Sequence, residues 1–186
     1  TTNSGIFFDD AENGTARWNM LGFVILQDYS FAAYGVTNQN GTYNINASGN
    51  YSMRSKFENT HIRVVNADRS DTFHEFNLTE ISEHSWNWSD EDGSYKGEES
   101  NAFYHTNKIH DFFTKSDPFN ITSMNYQAIV MVEYGSSRCN AFSDGINIYF
   151  YGPGGSCEST ALSSDVIFHE YTHSVHYHIY GNDFSS

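Results

Sequence analysis

His169-Glu170-Tyr171-Thr172-His173 puts two imidazoles on one side of the chain only if the segment is helical, and the flanking residues say that it is. Ser163 or Ser164 offers an N-cap oxygen, Asp165 brings negative charge to a first turn where the helix dipole favours it, and Gly181 provides a C-terminal stop. A helix from Ser163 or Ser164 to Tyr180 is therefore expected. Its i and i+4 side chains share a face, with Cβ atoms about 5 to 6 Å apart, so His169 and His173 can converge on one ion. Glu170, turned about 100° from His169, stands beside that ion rather than on it. Zinc is the metal that suits such a pair, because it takes neutral imidazole nitrogen, keeps a position open and makes water acidic near neutral pH. Glu170 is then the candidate catalytic base, accepting a proton from water on the metal. Exposed histidines on a His-rich helix, with His176 and His178 close by, are the plain alternative.

Composition narrows the partners. Nine Lys and Arg stand against 23 Asp and Glu, for a net charge of −14, and no basic stripe exists to neutralise phosphates in a row. Nucleic acid and anionic membrane surfaces are excluded as partners on that basis. The longest apolar runs, Phe23 to Leu26 and Ala128 to Val132, are far too short to span a bilayer. Mean hydropathy is −0.56, yet 13 Tyr, 15 Phe and 3 Trp supply buriable surface that disordered chains lack.

Residues 1–88 read as a β-rich, sandwich-like region. Short strands are expected at Leu21 to Leu26, Ala33 to Thr37, Thr42 to Asn46, Tyr51 to Phe57 and His61 to Val65, with Asn40-Gly41 supplying a hairpin turn. Val36 to Ile45 is similar to the turn and strand of small transthyretin-like sandwiches. Residues 89–100, with Asp90, Glu91, Asp92, Glu98 and Glu99, read as an acidic linker or loop. Calcium at Asp90 and Asp92 is conceivable, but the spacing completes no EF-hand loop and no metal is assigned there.

Residues 101–186 form the chemical half. Ala102, Phe103, Ile109 and Phe113 recur at helical spacing, with Thr106 and His110 on the same stripe, so a helix ending near Lys115 is expected. Strands Tyr126 to Tyr134 and Ile146 to Tyr151 follow, and the His-bearing helix comes last. The fold class is α+β, the second half carrying two helices and a small antiparallel sheet.

Cys139 and Cys157 flank a Gly/Pro-containing stretch that can fold back on itself. A disulfide closing it would contribute about 3 kcal/mol and suits an oxidising compartment, while two free thiols are what spacing alone leaves open. Asn-x-Ser/Thr acceptors stand at Asn13, Asn40, Asn46, Asn50, Asn77, Asn87 and Asn120. Their density suits a glycosylated extracellular or cell-surface protein, with chance matches in an Asn-rich chain as the alternative. Thr1, with no export signal behind it, is what a processed start would give.

Three stretches carry a resemblance to a known family. Asp165 to Val175 resembles the active-site helix of gluzincin metallopeptidases, in their thermolysin-like and especially fungalysin-like branches. Asn101 to Phe112 is similar to the helix that precedes the active site in the fungalysin-like enzymes. Cys139 to Gly145, followed by Ile148 to Gly152, resembles their substrate-holding edge strand. The resemblance spans residues 99–181.

What the resemblance implies is a zinc-dependent peptidase. His169 and His173 become zinc ligands, Glu170 the general base, and Asn140 and Ala141 contacts to the backbone of a peptide that adds as a strand. The family's third ligand is a Glu on a following helix, and no Glu follows Glu170 here. Two expectations result. One is an extracellular zinc metalloendopeptidase whose completing helix lies in further sequence. The other is a non-catalytic structural subunit of an extracellular fibre or surface assembly, carrying a vestigial peptidase lobe and self-assembling through β-strand contacts. In that case Thr1 to Asp9, with Ile6-Phe7-Phe8, is the candidate donated strand.

Overall fold

The structure is a computed structural model that describes residues 23–27, 31–36, 51–78, 96–116, 118–135 and 139–181. Asn40-Gly41, the strand expected at Thr42 to Asn46, Asp90, Asp92, the segment Thr1 to Asp9, and the acceptors Asn13, Asn40, Asn46, Asn50 and Asn87 lie outside the described residues. The chain divides into two compact units, Thr1–Asn59 with Thr72–Lys96, and Thr60–Asp71 with Gly97–Ser186.

In the first unit, β1 (Phe23–Gln27), β2 (Phe31–Val36), β3 (Tyr51–Lys56) and β5 (Phe73–Leu78) form a four-stranded sheet in the order β2-β1-β3-β5, antiparallel throughout. A register shift between Leu26 and Gln27 marks an irregularity at the end of β1. Strand β5 was not among the expected strands. Its sequence, Phe-His-Glu-Phe-Asn-Leu, is too polar to read as one, and Asn77, one of the glycosylation acceptors, lies within it.

The second unit holds β4 (Ile62–Asn66), α1 (Lys96–Lys115), β6 (Ala128–Val132), β7 (Ala141–Ser143), β8 (Ile148–Phe150) and α2 (Ser164–Tyr180). Its sheet runs β4-β6-β8-β7. The sequence predicts an antiparallel sheet, but β4 pairs with β6 in parallel from Ile62 opposite Ala128 to Asn66 opposite Val132, and β6 pairs with β8 in parallel. Only β7 and β8 are antiparallel. The reason is connectivity: a long crossover that includes α1 separates β4 from β6, and such crossovers deliver strands in the same direction. Strand β4 thus belongs to the second unit although it falls in the stretch read as the β-rich region.

Alternation along the strands sends one face inward. Ile62, Val64, Ala128, Val130, Val132, Ala141, Ile148 and Phe150 are buried, and Arg63, Val65, Ile129, Met131, Phe142 and Tyr149 take the intervening, more open positions. The helices close the core with Ala102 and Phe103 of α1 and Ile167, Tyr171 and Val175 of α2, each worth about 1.5 to 3 kcal/mol for the larger side chains. Tyr171 stacks on Phe113 and meets His110 edge-on, joining the two helices.

Helix α1 begins at Lys96, so residues 96–100, assigned to the acidic loop from sequence, are its first turn. Glu98 and Glu99 are acidic at the end where the helix dipole favours them. Glu99 is buried, and Asn66 Nδ2 donates to its Oε1 at 3.2 Å. The rest of the expected stripe holds: Thr106 and His110 are sealed inside with Phe103. Helix α2 has Ser163 at its N-cap position, where the serine side chain makes no capping hydrogen bond, so the expected cap oxygen is not used; Gly181, at φ 70°, is the C-cap its flank predicts.

His105 of α1 meets Phe168 of α2 edge-on, with centroids 5.5 Å apart. Burial, helped by Lys108 and opposed by Asp165, lowers its pKa to about 4. The unfolded imidazole titrates near 6.5, so between those values the unfolded chain binds a proton that the folded chain refuses. His61, stacked on His110 at 4.3 Å, is shifted down by burial and by that neighbour. Stability is therefore expected to fall as pH drops from about 6.5 towards 4, and His105→Gln should flatten the slope, as read from urea midpoints across that range. A midpoint independent of pH, or a slope unchanged in the variant, would show that His105 takes no part.

Candidate metal centre

Helix α2 divides its surface lengthwise. Ile167, Tyr171, Ser174 and Val175 face the core, whereas His169, His173 and His176 are exposed on one stripe. Helical hydrogen bonding fixes the spacing of that stripe, and the Thr172 hydroxyl adds a bond to Phe168 O at 2.7 Å.

The His169 and His173 rings stand nearly perpendicular, at 84°, and their Nε2 atoms face each other at 3.0 Å. Two nitrogens bound to one tetrahedral zinc at about 2.0 to 2.1 Å lie roughly 3.3 Å apart. The pair therefore has only a few tenths of an ångström to open, and imidazole nitrogen is a donor type that suits that ion. Glu170, the residue between them in sequence, is buried at 6 % exposure. Burial pushes its carboxyl pKa up, against the pull of His173 and His169. Among the described residues no third His, Cys, Asp or Glu completes a metal-binding cluster.

Opposite the histidines runs the sheet edge. Strand β7 is last in the strand order and is paired to β8 from Ala141 opposite Phe150 to Ser143 opposite Ile148. Asn140 and Ala141 stand at its start, Asn140 exposed and Ala141 buried. A cleft of about 940 Å³ brings Asn140 and Ala141 together with His169, Glu170 and His173. All five candidate residues thus line one space.

The cleft also has walls that the motif does not reveal. Ser143, Asp144 and Gly145 of the β7–β8 turn line it, as do His176 and Tyr177 of α2. Ser143 Oγ and Ser174 Oγ share a hydrogen bond of 2.8 Å, tying the end of β7 to the helix. Asp144 Oδ1 accepts the N–H groups of Ile146 and Asn147 at 2.9 and 2.7 Å, and its Oδ2 accepts the Tyr149 hydroxyl at 2.8 Å. Burial opposes its charge, yet these bonds hold its carboxyl below the usual range. The Asp-Gly pair between two apolar runs is the sequence signal for this turn, and Tyr177, four residues after His173, continues the histidine stripe.

Cys139 and Cys157 form a disulfide with Cα atoms 5.6 Å apart. Asn120, within its acceptor triplet, is exposed on a turn at φ 42°.

Residues 32–177 match the family model for the catalytic domain of thermolysin metallopeptidases. No curated protein matches the chain. The family match runs through Val36 to Ile45 as well as through the His-bearing helix.

Gly145 sits at φ +93°, where an added Cβ would lie 2.4 Å from Tyr177 Cγ. Gly155 is also left-handed, at φ +63°, but open space surrounds it. Gly145→Ala is expected to cost about 2 to 4 kcal/mol and Gly155→Ala only about 1 kcal/mol, measured by urea unfolding. Equal costs would mean that the Tyr177 ring does not hold the turn.

Proposed function

The chain belongs to the thermolysin metallopeptidase family, and on that footing we propose that it is an extracellular zinc-dependent endopeptidase in which His169 and His173 hold the metal and Glu170 is the general base. The observation that carries the reading is the convergence of two Nε2 atoms at 3.0 Å beside a buried carboxyl, in a cleft walled by a strand edge.

Zinc, when bound, supplies Lewis-acid polarisation of a carbonyl and makes water acidic near neutral pH. The chain's own residues do the rest. The outer edge of β7 offers main-chain groups to an extended peptide, which adds as one more strand; Ala141 grips it through its main chain and Asn140 through its side chain, the Asn140 carbonyl being bonded to Tyr151 and Thr160. This grip reads backbone rather than side chains, so it admits many sequences. Glu170 sits one residue from His169 on the helix, which holds its carboxylate against the metal pair. From there it takes a proton from the attacking water and returns it to the leaving amine nitrogen. Its burial excludes bulk water and makes the carboxylate a better proton acceptor than an exposed one.

The compartment follows from covalent chemistry. The Cys139–Cys157 disulfide fits an oxidising exterior, and the exposed Asn120 turn is open to glycosylation. The fibre-subunit reading draws on the third ligand absent among the described residues and on strand contacts of the β-rich first half, and its candidate donated strand, residues 1–9, lies outside the described residues.

The test uses the full-length protein loaded with zinc. Glu170→Gln should retain the metal, read by elemental analysis, and lose peptide hydrolysis by a factor of about 10² to 10⁴. His169→Ala and His173→Ala should lose both metal and hydrolysis. Unchanged cleavage by the Glu170 variant would remove it from the mechanism, and full zinc content in the double histidine variant would place the metal elsewhere.

A further inference from the structure

Strand β7 is held very differently at its two ends. Its trailing end is fastened to α2 through the Ser143 to Ser174 hydrogen bond, and the following turn rests on the Tyr177 ring where Gly145 lets it approach. Its leading end is bonded instead to the residue after β8 and to the stretch before α2. Asn140 O accepts the Tyr151 N–H at 3.3 Å, a long bond, and lies 3.0 Å from the Thr160 hydroxyl. That hydroxyl also lies 3.2 Å from Tyr151 O, so its single proton is shared. Asn140 is exposed, and hydrogen bonds in contact with water hold a strand end weakly because water competes for both partners.

One covalent bond stands at this end. Cys139 immediately precedes Asn140, and its partner Cys157 lies in a tight hairpin whose Gly154 and Cys157 exchange two backbone hydrogen bonds, at 3.0 and 3.1 Å, around Gly155. The same segment continues to Thr160. The disulfide and the Thr160 hydroxyl therefore fasten the start of β7 to one stretch, residues 154–160.

We propose that the Cys139–Cys157 disulfide is a positioning element for the substrate-holding strand: it fixes Asn140 and Ala141 where a peptide adds, so that its reduction weakens peptide binding and leaves the histidine pair intact. The proposal rests on the peptidase reading for the role of β7. The two halves of the site are separable because His169, Glu170 and His173 are carried by α2, whose geometry depends on its own hydrogen bonds and on Ile167, Tyr171 and Val175 in the core. Cys139 is exposed and so is open to a small reductant. A soluble dithiol reduces the bond by giving up two electrons and two protons; it closes to its own disulfide, and Cys139 and Cys157 each end as a thiol.

The experiment compares the zinc-loaded, full-length protein in its oxidised form with the same protein reduced by a dithiol and capped with iodoacetamide, and with Cys139→Ser/Cys157→Ser. Hydrogen exchange is followed at residues 140–143 and 164–180, alongside zinc content, KM and kcat for a peptide substrate. Reduction is expected to speed exchange at 140–143 alone, to raise KM about tenfold with kcat held within about twofold, and to leave zinc unchanged. Exchange unchanged at 140–143, or accelerated equally in the strand and in α2, overturns the proposal, since the first shows no restraint on β7 and the second only a general stabiliser. Should no form cleave peptide, the peptidase reading fails and the exchange comparison still decides whether the disulfide restrains the strand. Capping after folding keeps that comparison available if the double variant does not fold.

Discussion

The packing of Tyr171 decides where everything else in the candidate metal centre points. A helix fixes the separation of residues four apart, but not the direction in which their common face looks; that is set by whatever anchors the opposite face. Here Tyr171, 2 % exposed, stacks on Phe113 and meets His110 edge-on, while Ile167 and Val175 lie on either side of it along the buried stripe. Burial holds its phenol neutral far beyond physiological pH, so the ring acts as a large apolar anchor. With that stripe committed to the core, the histidine stripe has to emerge at the cleft, and Glu170, between the two, falls at the boundary where it is covered yet adjacent.

The opposite wall depends on backbone rather than side-chain packing. A three-residue edge strand has little to hold it, and β7 gains its place by pairing with β8, by the serine link to α2 and by the Asp144 turn. The turn needs two unusual things: a carboxylate that accepts neighbouring N–H groups and a glycine at a position where any Cβ would strike the Tyr177 ring. Both requirements are local, and both are met by adjacent residues. Strand edge and histidine pair are consequently set by different forces, one mainly hydrogen-bonded and the other mainly apolar.

The sequence made the helices legible because their signals repeat. Spacing, acidic first turn and glycine stop agree for α2, and the apolar stripe of α1 survives even though Thr106 and His110 sit in it. Polarity misled at the start of α1, where Glu99 is buried against Asn66, since charge alone cannot tell a solvated turn from a first helical turn. The parallel pairing of β4 with β6 left no local trace; it is a partnership across more than sixty residues and nothing near Ile62 records it. Of the candidate site, the histidine pair and Glu170 stood out in the sequence because metal chemistry would dictate residue type and spacing together. Tyr177 and Asp144 were not, because lining a cleft demands only size or a hydrogen bond. The family match covers residues 32–177, whereas the motifs covered only 99–181. The described strands of the added part form sheet, where many apolar and polar sequences satisfy the same pleat and few positions are chemically obligatory.

A grip made through main-chain atoms imposes a consequence on selectivity. An extended peptide lying along β7 turns alternate side chains to opposite faces, so under the proposed function every second residue of the substrate looks toward α2 or away from it. Those looking toward α2 meet His176 and Tyr177, beyond the metal pair on the same helix. Tyr177 cannot retreat toward the turn, because Gly145 is already as close as a residue without a side chain permits. The aromatic ring is thus a fixed wall rather than an adaptable one, and the room beside it is set by the turn that rests on it. Under the proposed function, preference among peptides on this side of the cleft therefore rests on His176, that ring and its glycine, outside the residues proposed to carry the chemistry.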